Sequence, residues 1–262
     1  MSLLLNGGLI LGWGCSLALS LGTNTAQRPL GLLVALILLR TLLQTGLFIV
    51  AHDAMHGLLC PKQARWNDAI GALALMLYTA LPYGACRKQH HRHHSQPASA
   101  QDPDFPHDQR NRPLRWYGQF LSRYLCPRQM LLLVGVWGLL VVATMSGAKV
   151  SAELATSRVL LWATLPLLLS SLQLFVFGTY LPHRVQCHPQ RCAHPISLNL
   201  PPWLSLLACF HFGYHWEHHA YPQLAWHQLP LSRRSRGGDC YAIGSPSWKP
   251  HWLAGRTKNR QW

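Results

Sequence analysis

The sequence predicts an all-α polytopic membrane protein. About four transmembrane helices form two hairpins and carry a cytoplasmic, histidine-rich di-metal cap. Three observations predict this fold class. Only 12% of the 262 residues are charged and 49% are hydrophobic, whereas a soluble chain carries about 25% charged residues. Four apolar stretches approach the roughly 20 residues that span a bilayer. Eleven of the sixteen histidines fall into three tight clusters plus one outlier.

The first span, residues 3–21, holds no charge. It has neither a basic start nor a small-residue cleavage site, so it reads as a retained span and not as a removed signal peptide. The second, residues 30–51, is interrupted only by Arg40. A charge near mid-span is costly. Arg40 either faces the bundle interior and finds partners there or marks a substrate channel, and the structural reading is favoured. The third and fourth spans cover residues 130–148 and 159–182. Residues 69–86 are short for a span and lie between His56 and His90. A crossing there separates histidines that must share a side to share a site, so this is a re-entrant or interfacial helical segment. Residues 200–214, between His183 and His215, follow the same logic. Residues 97–128 read as a surface connection and residues 232–262 as an irregular tail, so 1–262 is one domain.

Two hairpins return every histidine cluster to one side. Of 23 Lys and Arg residues, only Arg28, Lys149 and Arg158 fall in the two short opposite loops. Arg40 is within a span, and the rest lie with the histidines. The positive-inside rule makes that side cytoplasmic, with both termini. The net charge of +15 is explained by orientation and by anionic headgroups, and no nucleic-acid-binding motif accompanies the basic tail.

The clusters are His52 and His56 in HDAMH; His90, His91, His93 and His94 in HHRHH; and His211, His215, His218 and His219 in HFGYHWEHH. His183 stands apart in FGTYLPHR. Spacings of three and four place side chains on one helix face, and neutral imidazole is a common ligand for iron, zinc and copper. Histidine-rich, thiolate-free ligation suits an O2-activating iron pair. A hydrolytic zinc site uses about three protein ligands plus water, fewer than are present. Cys187 and Cys192 start an iron–sulfur spacing that fails at Pro195, and a zinc site from Cys187, His188, Cys192 and His194 has poor spacing. No P-loop or GxGxxG occurs. Asp53 and Glu217 adjoin histidines and are candidates to orient imidazole N–H groups, with surface ion pairing as the alternative. Asp102 and Asp104 have no evident role beyond a turn. His107, His188, His194, His227 and His251 read as ordinary polar residues.

HxxxH, HxxHH and HxxHH in this order around two membrane hairpins resemble the membrane fatty-acid desaturase and hydroxylase superfamily over nearly the whole chain. The strings AHDAMHG, DPDF, FGTYLPHR and FHFGYHWEHH are similar to those of the bacterial-type β-carotene 4-ketolases. That resemblance implies a di-iron, O2-dependent oxidoreductase of carotenoid biosynthesis. It oxidises the 4 position of β-ionone rings twice, through a geminal diol that loses water, giving keto-carotenoids such as echinenone and canthaxanthin. It implies His52, His56, His90, His93, His94, His183, His215, His218 and His219 as metal ligands. His91 reads as pointing away, and His211 as a ligand or a residue behind one. Tyr180, Phe212, Tyr214 and Trp216 are candidates for an apolar wall against the carotenoid, with plain packing as the alternative. The chain leaves no room for a flavin or iron–sulfur domain, so electrons are expected from a ferredoxin-like donor. The alternatives are another lipid oxidation, fatty-acyl desaturation or ring 3-hydroxylation, and a non-enzymatic metal transporter. A transporter needs ionisable groups at mid-span, which these spans largely lack.

Overall fold

A computed structural model describes residues 2–24, 28–105, 112–184 and 195–234. Among these residues there are helices and turns but no strand. Helices α1 (Ser2–Gly22) and α2 (Leu30–Met55) form one hairpin. After α3 (Ala64–Thr79), α4 (Tyr83–Ser95) and α5 (Pro113–Tyr124), α6 (Pro127–Ala148) and α7 (Ala152–Arg184) form the other. The chain ends with α8 (Pro202–Cys209), α9 (His215–Ala220) and α10 (Leu229–Arg234). Among the described residues, helices α1, α2, α6 and α7 are each long and apolar enough to cross a membrane, and α3 with α4 would make a fifth if the bent pair is one broken span.

The bundle is apolar outside and polar within. Leu4, Leu11, Leu131 and Leu139 point outward, while Asn6, Arg40, Gln44, Thr45 and Ser170 are buried. Apolar side chains gain nothing by packing inward when the surroundings are themselves hydrocarbon, so interhelical hydrogen bonds link the helices. Trp13 Nε1 donates to Gln44 Oε1 at 2.6 Å, Gln44 Nε2 donates to the Tyr78 carbonyl at 2.8 Å, and Thr45 donates to Ser170 Oγ at 2.9 Å.

Helix α7 begins at Ala152, ahead of the apolar stretch that starts at 159. It contains two π-helical turns, Leu160–Thr164 and Phe175–Tyr180. Each is followed by a proline, Pro166 and Pro182. Proline has no N–H and its ring crowds the carbonyl four residues back, so the helix widens locally. The carbonyl that Pro166 leaves free belongs to Trp162, and Arg40 Nε donates to it at 3.2 Å. Arg40 Nη1 donates to the Trp13 carbonyl and Ser16 Oγ, both at 3.0 Å. Its role is therefore structural: backbone carbonyls and a hydroxyl from α1 and α7 share its donors. One expectation is corrected. Arg158 is not a loop residue but a buried member of α7, donating to the Leu21 carbonyl at 2.9 Å. This bond ties the two hairpin turns together, away from the histidines. At the opposite end, Ser2 Oγ lies 3.1 Å from His227 Nε2 and Trp226 Nε1 donates to Asn6 Oδ1 at 3.3 Å.

The stretch at 69–86 is two helices. Ala80 takes a left-handed conformation (φ 53°) and Pro82 cannot continue α3, so α4 leaves at 100° to it. This bend lays α4 across the end of α2. Asn67 Nδ2 donates to the Ala54 carbonyl at 2.7 Å, beside the Gly57 N–H at 2.9 Å, so α3 is tied to the end of α2. The residues of the tail beyond Arg234 lie outside the described residues.

Contact between α2, α3 and α4 depends on Gly71. A Cβ there stands 2.6 Å from Ala54 Cβ and 2.5 Å from Tyr83 Cε2. Overpacking costs about 1–3 kcal/mol, more than the roughly 1 kcal/mol that alanine gains over glycine in a helix. Gly71→Ala should lower the melting temperature in detergent by several degrees. Gly14→Ala, with nothing within 4 Å, should not. Equal melting temperatures for the two variants refute this account of the packing.

Candidate metal centre

Four helices deliver the histidines to one place. The last turn of α2 carries His52, and His56 caps it. Helix α4 carries His90, His93 and His94, the end of α7 carries His183, and α9 carries His215, His218 and His219. The turn before α9 is forced: Phe210 (φ 47°) and His211 (φ 66°) are consecutive left-handed residues, each costing about 1–3 kcal/mol unless its surroundings hold it. The Phe210 N–H donates to Leu206 O at 2.8 Å and the His211 N–H to Ser205 O at 3.0 Å.

Their nitrogens form two groups. His52, His56, His90, His94 and His218 make one, and His93, His183, His215 and His219 the other. Helical phase explains the partition. At about 100° per residue, position i+4 lies about 40° to one side of i and i+3 about 60° to the other, so the two point to opposite sides of one face. Helix α4 therefore sends His90 and His94 to the five-histidine group and His93 to the other. Helix α9 does the converse, with His215 and His219 together and His218 across.

The donors fit a metal ion in each group. His56 and His90 bring their Nε2 atoms to 2.7 Å, His94 and His218 to 2.8 Å, and His52 and His218 to 3.1 Å. In the second group His93 and His219 approach to 3.0 Å, and His215 and His219 to 3.2 Å. A neutral Nε2 offers one proton or one lone pair, yet His218 faces two others and so does His219. A shared cation satisfies all of them: metal–nitrogen bonds of about 2.1 Å set neighbouring ligands about 3 Å apart. His183 Nε2 is buried without a hydrogen-bond partner, while its Nδ1 donates to Thr179 O at 2.7 Å. Its ring lies 5.0 Å from that of His93 and 4.8 Å from that of His215.

Burial, reinforced by the neighbouring imidazoles, holds His94, His218 and His219 well below the usual histidine range. Burial also pushes His56 down to about 3. At neutral pH these rings are neutral, the form that offers a lone pair. His93 alone in the set moves upward. Burial opposes its charge, but the Asp102 hydrogen bond and the Asp104 carboxylate outweigh burial.

Around these groups the other sequence candidates separate. His91 is exposed, and its Nε2 donates to the Met55 carbonyl at 2.9 Å, at the end of α2. His211 stacks between Tyr214 and Trp226 at 5.6 and 6.2 Å and joins neither group. Asp53 is buried, with Oδ1 3.8 Å from His52 Nδ1. Glu217 accepts from the Ser197 hydroxyl and from Arg233 Nη1 at 3.3 Å. Phe212 packs on His52 at 4.4 Å and on His218 at 5.9 Å. Tyr214 donates to Leu200 O at 2.7 Å beneath Arg233. Tyr180 packs on Trp116 at 5.4 Å, and Trp216 lies 6.3 Å from Tyr221. His107, His188, His194, His251, Cys187 and Cys192 lie outside the described residues. Sequence reasoning missed Asp102, whose Oδ1 is 2.9 Å from His93 Nδ1. It lies nine residues along, in a turn with no helical phase to announce the contact.

Residues 28–250 match the family model described as fatty acid desaturase. The chain is 40% identical over 239 residues to a β-carotene ketolase of Paracoccus sp. (strain N81106 / MBIC 01143), covering 88% of this chain and 92% of that one. It is 42% identical over 200 residues to a β-carotene ketolase of Paracoccus sp. (strain PC1), covering 75% and 77%. A zeaxanthin 4-ketolase of Chlamydomonas reinhardtii is 35% identical over 214 residues, covering 77% of this chain and 44% of that one. With apolar helices, two histidine groups and these relatives, the chain belongs to the fatty acid desaturase family.

Proposed function

We propose that this protein is a β-carotene 4-ketolase, an O2-dependent oxidoreductase that oxidises the 4 position of β-ionone rings to the ketone. The observation that carries the reading is the pair of all-histidine groups at one end of an apolar bundle, in a chain 40–42% identical to β-carotene ketolases over most of its length. The nine histidines of the two groups are its metal ligands, and the metals are two irons. When bound, an iron pair supplies O2 activation and oxidation of a C–H bond.

The chain's own residues bind and orient. Phe212 is wedged between His52 and the π turn of α7, where a Cβ on Gly178 stands 3.3 Å from Phe212 Cδ2. It offers the ring an apolar wall directly against the five-histidine group, and geometry rather than polar contact then selects the carbon attacked. The allylic 4 position has the weaker C–H bonds. Two oxidations there give a geminal diol, and loss of water leaves the ketone. A carotenoid reaches this wall laterally from the bilayer. Electrons come from an external, acidic ferredoxin-like protein, steered by the basic residues that share the histidine side. That side and both termini are cytoplasmic.

Three measurements test this reading. In a host that makes β-carotene, the wild type should yield mono- and diketone pigments and His94→Ala none; only 3-hydroxylated carotenoids, or altered fatty acids with carotene untouched, refute the substrate. Metal analysis should find iron, with His56→Ala and His183→Ala each losing about half of it, since they belong to separate groups; zinc in place of iron refutes the assignment. Reporter fusions after Gly22 and after Gly147 should sit on the side opposite to a fusion after Gln96, and a common side for all three rejects the orientation.

A further inference from the structure

Nine neutral imidazoles contribute no negative charge to the ions they hold. The chain has eight acidic residues in all. Among the described residues, the three that are buried, Asp53, Asp102 and Glu217, all lie beside candidate ligands. Their contacts differ. Glu217 is taken by Ser197 and Arg233, and Asp53 stands 3.8 Å from the nearest imidazole nitrogen. Asp102 is in hydrogen-bond contact, with Oδ1 2.9 Å from His93 Nδ1.

Asp102 is itself held fast. It is 2% exposed. Its Oδ2 accepts the Ala98 N–H at 2.7 Å and its Oδ1 the Asp104 N–H at 2.9 Å. Its carbonyl accepts from Arg123 Nη1 at 3.3 Å. Asp104 is anchored in turn by the Tyr124 hydroxyl at 2.8 Å, and Trp116 Nε1 donates to the Asp104 carbonyl at 3.0 Å. Two backbone donors and helix α5 thus fix the carboxylate before it meets histidine. With Oδ1 accepting from Nδ1–H, His93 has its proton on Nδ1 and its lone pair on Nε2, the atom that faces His219 at 3.0 Å.

We infer that Asp102 is a positioning residue of the four-histidine group: it sets the tautomer and ring orientation of His93 and supplies the negative charge nearest the ion held there. The five-histidine group has no carboxylate in hydrogen-bond contact with it among the described residues, so the two metal positions are electrostatically unequal. This rests on the metal reading above. A carboxylate on the far nitrogen of a ligating histidine is worth about 10–100-fold in metal affinity, and here that gain applies to one position only.

The test is titration of the metal-free full-length protein in detergent with cobalt(II), followed by visible absorption. His56→Ala and His183→Ala identify which equivalent belongs to which group. Asp102→Ala should weaken, by about 10–100-fold, the equivalent that His183→Ala abolishes, and leave the one that His56→Ala abolishes unchanged. Asp102→Asn keeps an acceptor for the imidazole and loses the charge. Its affinity should fall between Asp102→Ala and wild type, which a role in the loop alone does not predict. Glu153→Ala, at an exposed position in the first turn of α7 and away from the histidines, controls for loss of any carboxylate and should bind both equivalents as wild type does. Wild-type affinity for both equivalents in Asp102→Ala overturns the inference, and so does parallel weakening of both. A wild-type protein that takes up fewer than two equivalents overturns the metal reading itself, and the inference with it.

Discussion

The structure depends on bringing nine imidazole nitrogens into two groups at the end of an apolar bundle. Such nitrogens do not gather unaided. Neutral rings have one donor and one acceptor each, and protonated rings repel. Helices α4 and α9 contribute to both groups, while α2 completes one and α7 the other. The less regular features serve this convergence. The 100° bend after Thr79 turns α4 across the end of α2. The left-handed pair Phe210 and His211 reverses the chain into α9. The π turn at Phe175–Tyr180 leads into His183 and leaves room at Gly178 for Phe212.

The bundle behind the site solves a different problem. Leucines cover its outer face, so polar side chains inside do the linking. Arg40 shows how tightly these features are coupled. A proline in α7 frees the Trp162 carbonyl, and the guanidinium of α2 uses it together with acceptors from α1. Each element is unfavourable alone, a proline inside a helix and a charge within a span, and together each supplies what the other lacks. At the hairpin turns Arg158 links α7 to the end of α1 through the Leu21 carbonyl.

The two ends of the molecule are thereby made unlike. One is closed by a side chain on a backbone carbonyl and holds little chemistry. The other carries neutral, buried imidazoles and the three buried carboxylates. Phe212 places an aromatic face between the histidines and α7. This combination of lone pairs, buried charge and an aromatic face suits oxidation of a hydrocarbon.

What the sequence by itself determined is what local spacing encodes. Apolar length marks the spans, a three-and-four spacing puts histidines on helix faces, and long strings such as FHFGYHWEHH carry the family. Only the tertiary structure decided how the histidines divide, because that division joins residues as far apart as His52 and His218, 166 positions along the chain. It alone separated Phe212, against the ligands, from Tyr214, two residues on and beneath Arg233. It turned the 69–86 stretch into two helices and moved Arg158 from a loop into the core. It also gave Asp102 a partner. A carboxylate in a turn has no periodicity to reveal its direction, and its role appears only when α4 and α5 close around it.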